Sequence, residues 1–434
     1  MKSFSGLAFE RVVVINLRRE PERLARFYDR LPDDWPFEAP VPFEALDGTN
    51  LTIPNWWQVG LSAWGCFQSH LRVIESALND RVDSILILED DAEFCLDFSE
   101  SLRPFADHVP GDWEWIYLGG QHLHYHEAFP VRVCPHVYRP HNVHRTHAYG
   151  LRGRRVMEMI YRHLLERDHW GEHHHVDHRL GELHSPFEGG LYVPEHWLIG
   201  QAAGFSNIRM KEVEATQFVS AADLLEPQRL HPVVPVVGSD SRTRNTVAAI
   251  LHHLGVSMGN AKLGSRPWEH ESAIAAPALD QLFDHLYSQP WWIEKTNGHH
   301  RIGSLRFWAA KRGRSAKQNI SMIGATHPLL AILAKEIDEA WNPELIVIAD
   351  PLMPNQDSDD GSIRRQQLMM ANGLKQFADR SADRIIHCDL RQETNLTKTI
   401  EMLIARLKLR PTAEQIENAT RMLNDFYDAI GKPT

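Results

Sequence analysis

The chain has 434 residues, too many for one ordinary hydrophobic core, so its length predicts two domains. Hydrophobic residues make up 43% and charged residues 24%, proportions ordinary for a globular protein. A formal net charge of −11 argues against a general nucleic-acid binder while leaving room for local basic sites.

No apolar run approaches the length of a membrane span. Met1-Lys2-Ser3 leads almost directly into Val12-Val13-Val14-Ile15, too soon for a signal-peptide core. Four scattered cysteines (Cys66, Cys95, Cys134, Cys388) show no metal or redox spacing. These features predict a reduced, cytoplasmic setting without a transmembrane segment.

Residues 12–17 read as a buried strand and residues 18–31, with Pro21 in a first turn, as an amphipathic helix, which is the opening of a βα unit. Asn16 at the strand's end is either a turn former or a ligand contact. Residues 43–50 form a turn-rich return. From Cys66 onward apolar residues recur at helical spacing through Leu78, so His70 and its neighbour Ser69 lie on a helix. A serine beside a histidine in sequence makes no hydrolase, because an activated serine needs a base in space and a third orienting group.

Residues 84–88, Ser-Ile-Leu-Ile-Leu, have no polar alternation and predict a strand buried on both faces, ending in Glu89-Asp90-Asp91. Three adjacent acids repel one another unless a cation or proton intervenes. Glu89 and Asp91, one residue apart, suit Mg²⁺ or Mn²⁺, which bind through oxygen and leave positions for a diphosphate. A solvated acidic turn capping the next helix is the competing reading.

Residues 113–119 predict a strand closed by a Gly-Gly turn, residues 121–144 an irregular histidine- and proline-rich stretch, and residues 153–165 a helix. Glu172, His173, His174, His175, Asp177 and His178 invite a zinc reading, but their spacing matches no standard zinc pattern and a polar loop is expected. Asp177 opens a short helical pattern and is a candidate general base, or else a helix cap. Residues 190–194 predict a last strand, followed by the stretches 197–201 and 205–208.

In this order, residues from about 11 to 210 resemble glycosyltransferase family 25, which includes lipopolysaccharide-core and collagen galactosyltransferases. The matching pieces are Ile15-Asn16-Leu17 with Arg23, Asp47-Gly48, Gly65-Cys66-Phe67 with Ser69-His70, Ile87-Leu88-Glu89-Asp90-Asp91-Ala92, Thr146 with Ala148-Tyr149, Val176-Asp177, and Val193-Pro194 with Gln201 and Ser206-Asn207-Ile208. The resemblance implies an α/β nucleotide-sugar-binding domain of the GT-A kind over residues 8–222. It implies transfer of a hexose, usually from UDP and with inversion, to a carbohydrate, glycolipid or glycoprotein acceptor. Mn²⁺ or Mg²⁺ would be held by Glu89 and Asp91. Asp177, Asp90 and His70 would be catalytic, with His178 a lesser candidate base. Asn16, Leu17, Arg23, Ser69, Tyr149, Gln201 and Ser206 would contact substrates. Asn207 departs from a position that is often acidic.

Residues 223–232 read as a linker, and residues 233–430 as a second α/β domain whose strand, glycine-opened loop and helix have the layout of a phosphate-binding loop. This half resembles the P-loop-type sulfotransferases that use 3'-phosphoadenosine 5'-phosphosulfate. Arg242-Thr243-Arg244-Asn245 stands where that family has Ser-Gly-Thr-Ser, and Ala349 where it has the arginine of Arg-Asp-Pro. Gly238, Arg242 and Arg244 are candidate anion contacts, with Lys295 a further one, but the lost glycine hinders close backbone approach to a phosphate. A sulfotransferase-like domain that has lost sulfate transfer is expected. The leading function is a metal-dependent glycosyltransferase. The alternatives are a bifunctional glycosyl- and sulfotransferase, or a non-catalytic carbohydrate-binding protein.

Overall fold

A computed structural model describes residues 6–125, 127–166, 175–208, 210–238, 240–258, 298–316, 320–349, 361–388, 390 and 396–430. The chain divides into two compact units, Met1–Leu225 and Glu226–Thr434.

In the first unit β1 (Arg11–Asn16) runs into α1 (Pro21–Arg30), then β2 (Val41–Glu44) and α2 (Leu61–Asn79). Next come β3 (Ser84–Glu89), β4 (Ala92–Phe94), α3 (Phe98–His108) and β5 (Trp113–His122). A hairpin of β6 (Val131–Cys134) and β7 (Val137–Arg139) leads to β8 (Val143–Arg152) and α4 (Arg154–Leu165). The unit continues through α5 (Val176–His184), β9 (Gly190–Pro194), β10 (Ile199–Gln201), β11 (Gly204–Ser206) and β12 (Lys211–Val213) to α6 (Ala221–Leu225).

Eight strands form one sheet in the order β2-β1-β3-β8-β5-β9-β7-β6. Strands β2, β1 and β3 are parallel, and β8 enters antiparallel beside β3. The apolar run of β3 serves both faces. Ile85 and Ile87 join the core built with Phe67, Ile74, Met157 and Leu180 of α2, α4 and α5. Leu86 and Leu88 join the core built with Phe27, Phe98, Leu102 and Phe105 of α1 and α3. Period-two alternation is therefore present in space although both sets are apolar, which is why the sequence reads as a continuous run.

Two expectations need correction. The stretch 121–144 is not irregular, because it contains the β6–β7 hairpin. Gly119 and Gly120 do not close β5; the strand continues to His122 through register shifts between Tyr117 and Gln121. A Cβ on Gly119 would lie 2.2 Å from the Ile199 carbonyl oxygen, so glycine here admits a neighbouring backbone and does not turn the chain. The boundary between the two units falls within residues 223–232, which carry the end of α6 and a 3₁₀ turn, Pro227–Arg229, with Asp223 buried and accepting from Ser220.

The second unit holds β13 (Val233–Val237), α7 (Ser241–His253), α8 (Gly298–Ser315), β14 (Ile323–Thr326), α9 (Ala334–Trp341), β15 (Ile346–Ile348), α10 (Gly361–Ser381), β16 (Ile385–His387), α11 (Leu396–Arg406) and α12 (Ala413–Ile430). Its sheet is fully parallel in the order β14-β13-β15-β16. Among the described residues no helix of either unit is long and apolar enough to cross a membrane.

Gly65 on α2 packs so closely on the return loop that a Cβ would sit 2.5 Å from the Leu46 carbonyl and 2.6 Å from the Gly48 nitrogen. Gly65→Ala must move that loop and is expected to cost about 1–3 kcal/mol in urea unfolding. Gly111→Ala, with nothing within 4 Å of the added carbon, stays within about 0.5 kcal/mol of wild type.

Candidate functional site

A cleft of about 370 Å³ opens in the first unit where β1 and β3 end, the position at which open α/β sheets carry ligands. The acidic triple forms part of its wall, and α1, α2, β8 and α5 supply most of the rest.

Each acid meets a different environment. The Asp90 carboxylate is buried and accepts from Asn16 Nδ2 at 2.7 Å and from Arg23 Nε at 3.0 Å, with Arg23 Nη2 also donating. One helical face of α1 supplies both Arg23 and Arg30. Arg30 donates to the backbone carbonyls of Asp90 (2.9 Å) and Ala92 (3.2 Å), so the turn itself is clamped. Burial works against the charged Arg23 guanidinium, but the Asp90 hydrogen bond and the charges of Asp90, Asp91 and Glu20 outweigh it and raise its pKa.

Burial also disfavours ionised Glu89, yet the adjacent His70, the Thr146 hydroxyl and His147 prevail and hold its carboxyl at about 2. His70 Nε2 lies 3.3 Å from Glu89 Oε1, and Thr146 Oγ1 donates to the same oxygen. His70 is fixed from behind by Tyr149, whose hydroxyl is 3.0 Å from Nδ1.

Asp91 shares the Arg23 guanidinium with Asp90 and lies farther from it, with Arg23 Nη2 3.8 Å from Oδ2. Its Oδ2 accepts from Gln201 Nε2 at 2.9 Å, while Oδ1 is buried with no hydrogen-bond partner. Burial, then the negative charges of Glu89 and Asp90, push its carboxyl up to about 6 against the opposing pull of Gln201 and Arg23.

Asp177 lines the same cleft from the first turn of α5. It is not the helix cap, which is His175. Its Oδ2 accepts from the Arg145 backbone at 3.1 Å and its Oδ1 from the His178 backbone at 3.0 Å, so the carboxylate is pinned to β8.

The cleft thus gathers Asn16, Leu17, Arg23, Ser69, His70, Glu89, Asp90, Asp91, Asp177, His178, Gln201 and Ser206. Two of these are already occupied with the fold. Ser69 Oγ donates to the Gly65 carbonyl and accepts from the Leu46 nitrogen, tying α2 to the return loop. Asn16 bridges Asp90 and the Glu20 carbonyl. Tyr149 is fully buried and reaches the cleft through His70 alone, so the structure does not place it in the lining.

Sequence reading missed Arg19, Glu20, Asp47, Gln121, Arg145, Thr146 and His147 as lining residues. Arg145 carried one physical signal, visible only in three dimensions: its φ of 75° lies in the left-handed region. Asn207 also lines the cleft and donates through Nδ2 to Glu20 Oε1 at 2.8 Å, a bond that a carboxylate at this position would replace with repulsion.

In the second unit Arg244 is buried and donates to the Gly238 carbonyl at 3.0 Å. Asp240 caps α7 by accepting from Thr243 N and Oγ1, and Arg242 is exposed. Asp240 therefore puts a carboxylate where a bound phosphate would approach the helix N-terminus. Ser239, Gly259, Lys295, Asp350, Pro351, Asp389 and the 172–174 stretch lie outside the described residues.

The profile of "Glycosyltransferase family 25 (LPS biosynthesis protein)" matches residues 9–165. Residues 9–165 are a glycosyltransferase family 25 domain. This family 25 match carries β1, the Cys66–His70 helix, the acidic triple and Thr146, while Asp177, Gln201 and Asn207 fall beyond it. Among curated proteins, "Procollagen galactosyltransferase 2" of Homo sapiens is 26% identical over 30% of this chain and 24% of its own length. "Procollagen lysyl hydroxylase and glycosyltransferase" of Acanthamoeba polyphaga mimivirus is 28% identical over 32% of this chain and 18% of its own. "Probable inactive glycosyltransferase 25 family member 3" of Bos taurus is 26% identical over 34% of this chain and 28% of its own. The matched stretch thus spans less than a third of these relatives, and one of them is named probable inactive. The crystal structure of A197 from STIV aligns with 48% of this chain and 96% of its own at 13% identity, with a TM-score of 0.25.

Asp91 holds its proton more tightly in the folded chain than at the ordinary carboxylate value of about 3.9, so its ionisation opposes folding. The stability it contributes is present in acid and is lost as pH rises from about 4 through about 6. Asp91→Asn is therefore expected to raise unfolding stability in EDTA at pH 7 by about 1–3 kcal/mol, with the gain fading by about pH 4. An unchanged or lowered midpoint at pH 7 would contradict the strained state assigned to Asp91. Arg23→Ala should act in the opposite sense, costing about 2–3 kcal/mol at pH 7 because it strands the Asp90 carboxylate.

Proposed function

We propose that the first unit is a metal-dependent hexosyltransferase of the GT-A kind. It moves a sugar from a UDP-linked donor to a hydroxyl of a surface-glycan, glycolipid or glycoprotein acceptor, with inversion, in a cytoplasmic setting. The observation that carries this is the buried Asp91 Oδ1 without a hydrogen-bond partner, on a residue that lines the cleft together with Asp177. A family 25 domain gives the reaction class, and the names of the galactosyltransferase relatives support the hexose.

The donor set fits a hard divalent cation. Asp91 offers a free carboxylate oxygen, and both described contacts of Glu89 fall on Oε1. These two residues would hold Mn²⁺ or Mg²⁺, which supplies Lewis-acid neutralisation of the diphosphate leaving group. Asp90 is a poor candidate for contact with the donor sugar, because Asn16 and Arg23 occupy its carboxylate; its part is to fix the turn. Asp177 is held by backbone donors on β8 and α5 and takes the proton of the acceptor hydroxyl as the new glycosidic bond forms. His70 positions Glu89.

The second unit is read as a sulfotransferase-like fold without sulfate transfer. Its parallel sheet, with β13 running into α7, supports the likeness, and Asp240 at the expected anion position supports the loss.

The deciding experiment is a donor screen with Mn²⁺, measuring released UDP with and without acceptor pools. Turnover of one UDP-hexose is expected, falling on the order of 100-fold or more in Asp91→Ala. Asp177→Asn should lower kcat by about 10²–10⁴-fold while donor binding persists. Donor binding without turnover on any pool would leave a sugar-nucleotide-binding protein, and neither binding nor turnover would overturn the assignment.

A further inference from the structure

A second cluster of ligand-type side chains stands in the same cleft on the β8–α5 side. His144 on β8 and the pair Asp177 and His178 on α5 bring one candidate ligand atom each within 4.8 Å of one another. The His144 and His178 rings lie 4.2 Å apart between centroids. His144 is 3% exposed, and its Nδ1 is buried with no hydrogen-bond partner. An unsatisfied imidazole nitrogen that deep is costly unless something it can bind comes to it.

The chemistry of the set differs from that of the acidic triple. Two imidazoles and one carboxylate suit a borderline ion such as Zn²⁺ or Co²⁺, with an open position toward the cleft, whereas Asp91 and Glu89 offer only hard oxygens. Asp177 keeps acceptor capacity, since each carboxylate oxygen takes one backbone donor and has a second lone-pair direction.

We propose that His144, Asp177 and His178 form a transition-metal site, selective for zinc-like cations and separate from the Asp91 site. A cation there holds the Asp177 carboxylate that the proposed transfer uses as its base, so zinc is an inhibitor on that reading; binding itself does not depend on it.

The test is a Co²⁺ titration of the full-length, tag-free chain, read by its visible ligand-field absorption, with Zn²⁺ competing. A saturable signal displaced by Zn²⁺ is expected. It should weaken by more than about tenfold in His178→Gln, taking the loss typical of outer-shell partners as a floor. His178 is only partly buried, so this variant removes a ligand without opening the core, and an unchanged unfolding midpoint in EDTA confirms its fold. His144→Gln should lose the signal likewise, and Asp91→Asn should keep it. The proposal is overturned if wild type shows no saturable signal, or if His178→Gln binds as wild type does. It is also overturned if Cys66→Ser or His70→Gln removes the signal while His178→Gln keeps it, which would assign the ion to the Cys66–His70–Glu89 cluster. The donor screen can fail without touching this result, and the converse holds as well.

Discussion

Three consecutive carboxylates at the end of a buried strand set the problem that the first unit is built around, because they cannot all ionise side by side without opposing charge. The fold answers it unequally. Asp90 is neutralised by Arg23 and Asn16, and Glu89 is held ionised by His70 and Thr146. Asp91 receives one amide, from Gln201, and keeps a buried oxygen with no partner. The protein stabilises two of the ionised acids well and the third poorly. That inequality, more than the acidity itself, is what the proposed ligand site rests on.

The supports of this arrangement reach far along the chain. Arg23 and Arg30 fix the side chain and carbonyl of the acidic turn from α1, 67 and 60 residues upstream of Asp90, while Gln201 comes from β10. Tyr149 on β8 steadies His70, which in turn touches Glu89. The antiparallel entry of β8 beside β3 is what makes that relay possible, since it sets Tyr149 opposite Ile87 and places Thr146 just past the end of β3. Sheet topology, and no local motif, brings the polar partners to the acids.

The sequence was most legible where one residue type serves one purpose over a short range. The apolar run before Glu89 predicts a doubly buried strand, and Ile85 and Ile87 against Leu86 and Leu88 divide between two cores as that reading requires. It was least legible where glycine or histidine has two uses. Gly119-Gly120 has the composition of a turn, yet close packing on Ile199 keeps it within β5. Ser69 lies beside His70 in sequence and in the cleft wall, yet its hydroxyl is spent on α2 and the return loop. Arg19, Gln121 and Arg145 carry no local pattern, because lining a cleft from a loop or strand end demands only position.

Histidine shows the same limit from the other side. Read along the chain, 172–178 offers adjacent imidazoles at spacings that match no metal motif, and a polar loop is the sound expectation. In the fold the relevant neighbour of His178 is His144, thirty-four positions earlier, delivered by β8 with an unsatisfied nitrogen. Spacing rules for zinc describe ligands presented by one hairpin or one helix, so a site assembled from a strand and a distant helix falls outside them. The same carboxylate, Asp177, belongs to both arrangements: pinned by backbone donors, it faces an acceptor hydroxyl on one reading and a cation on the other. A base that also ligates is silenced by the metal it binds. On the proposed readings the cleft would distinguish cations by chemistry, with oxygen ligands at the end of β3 and imidazoles on β8 and α5.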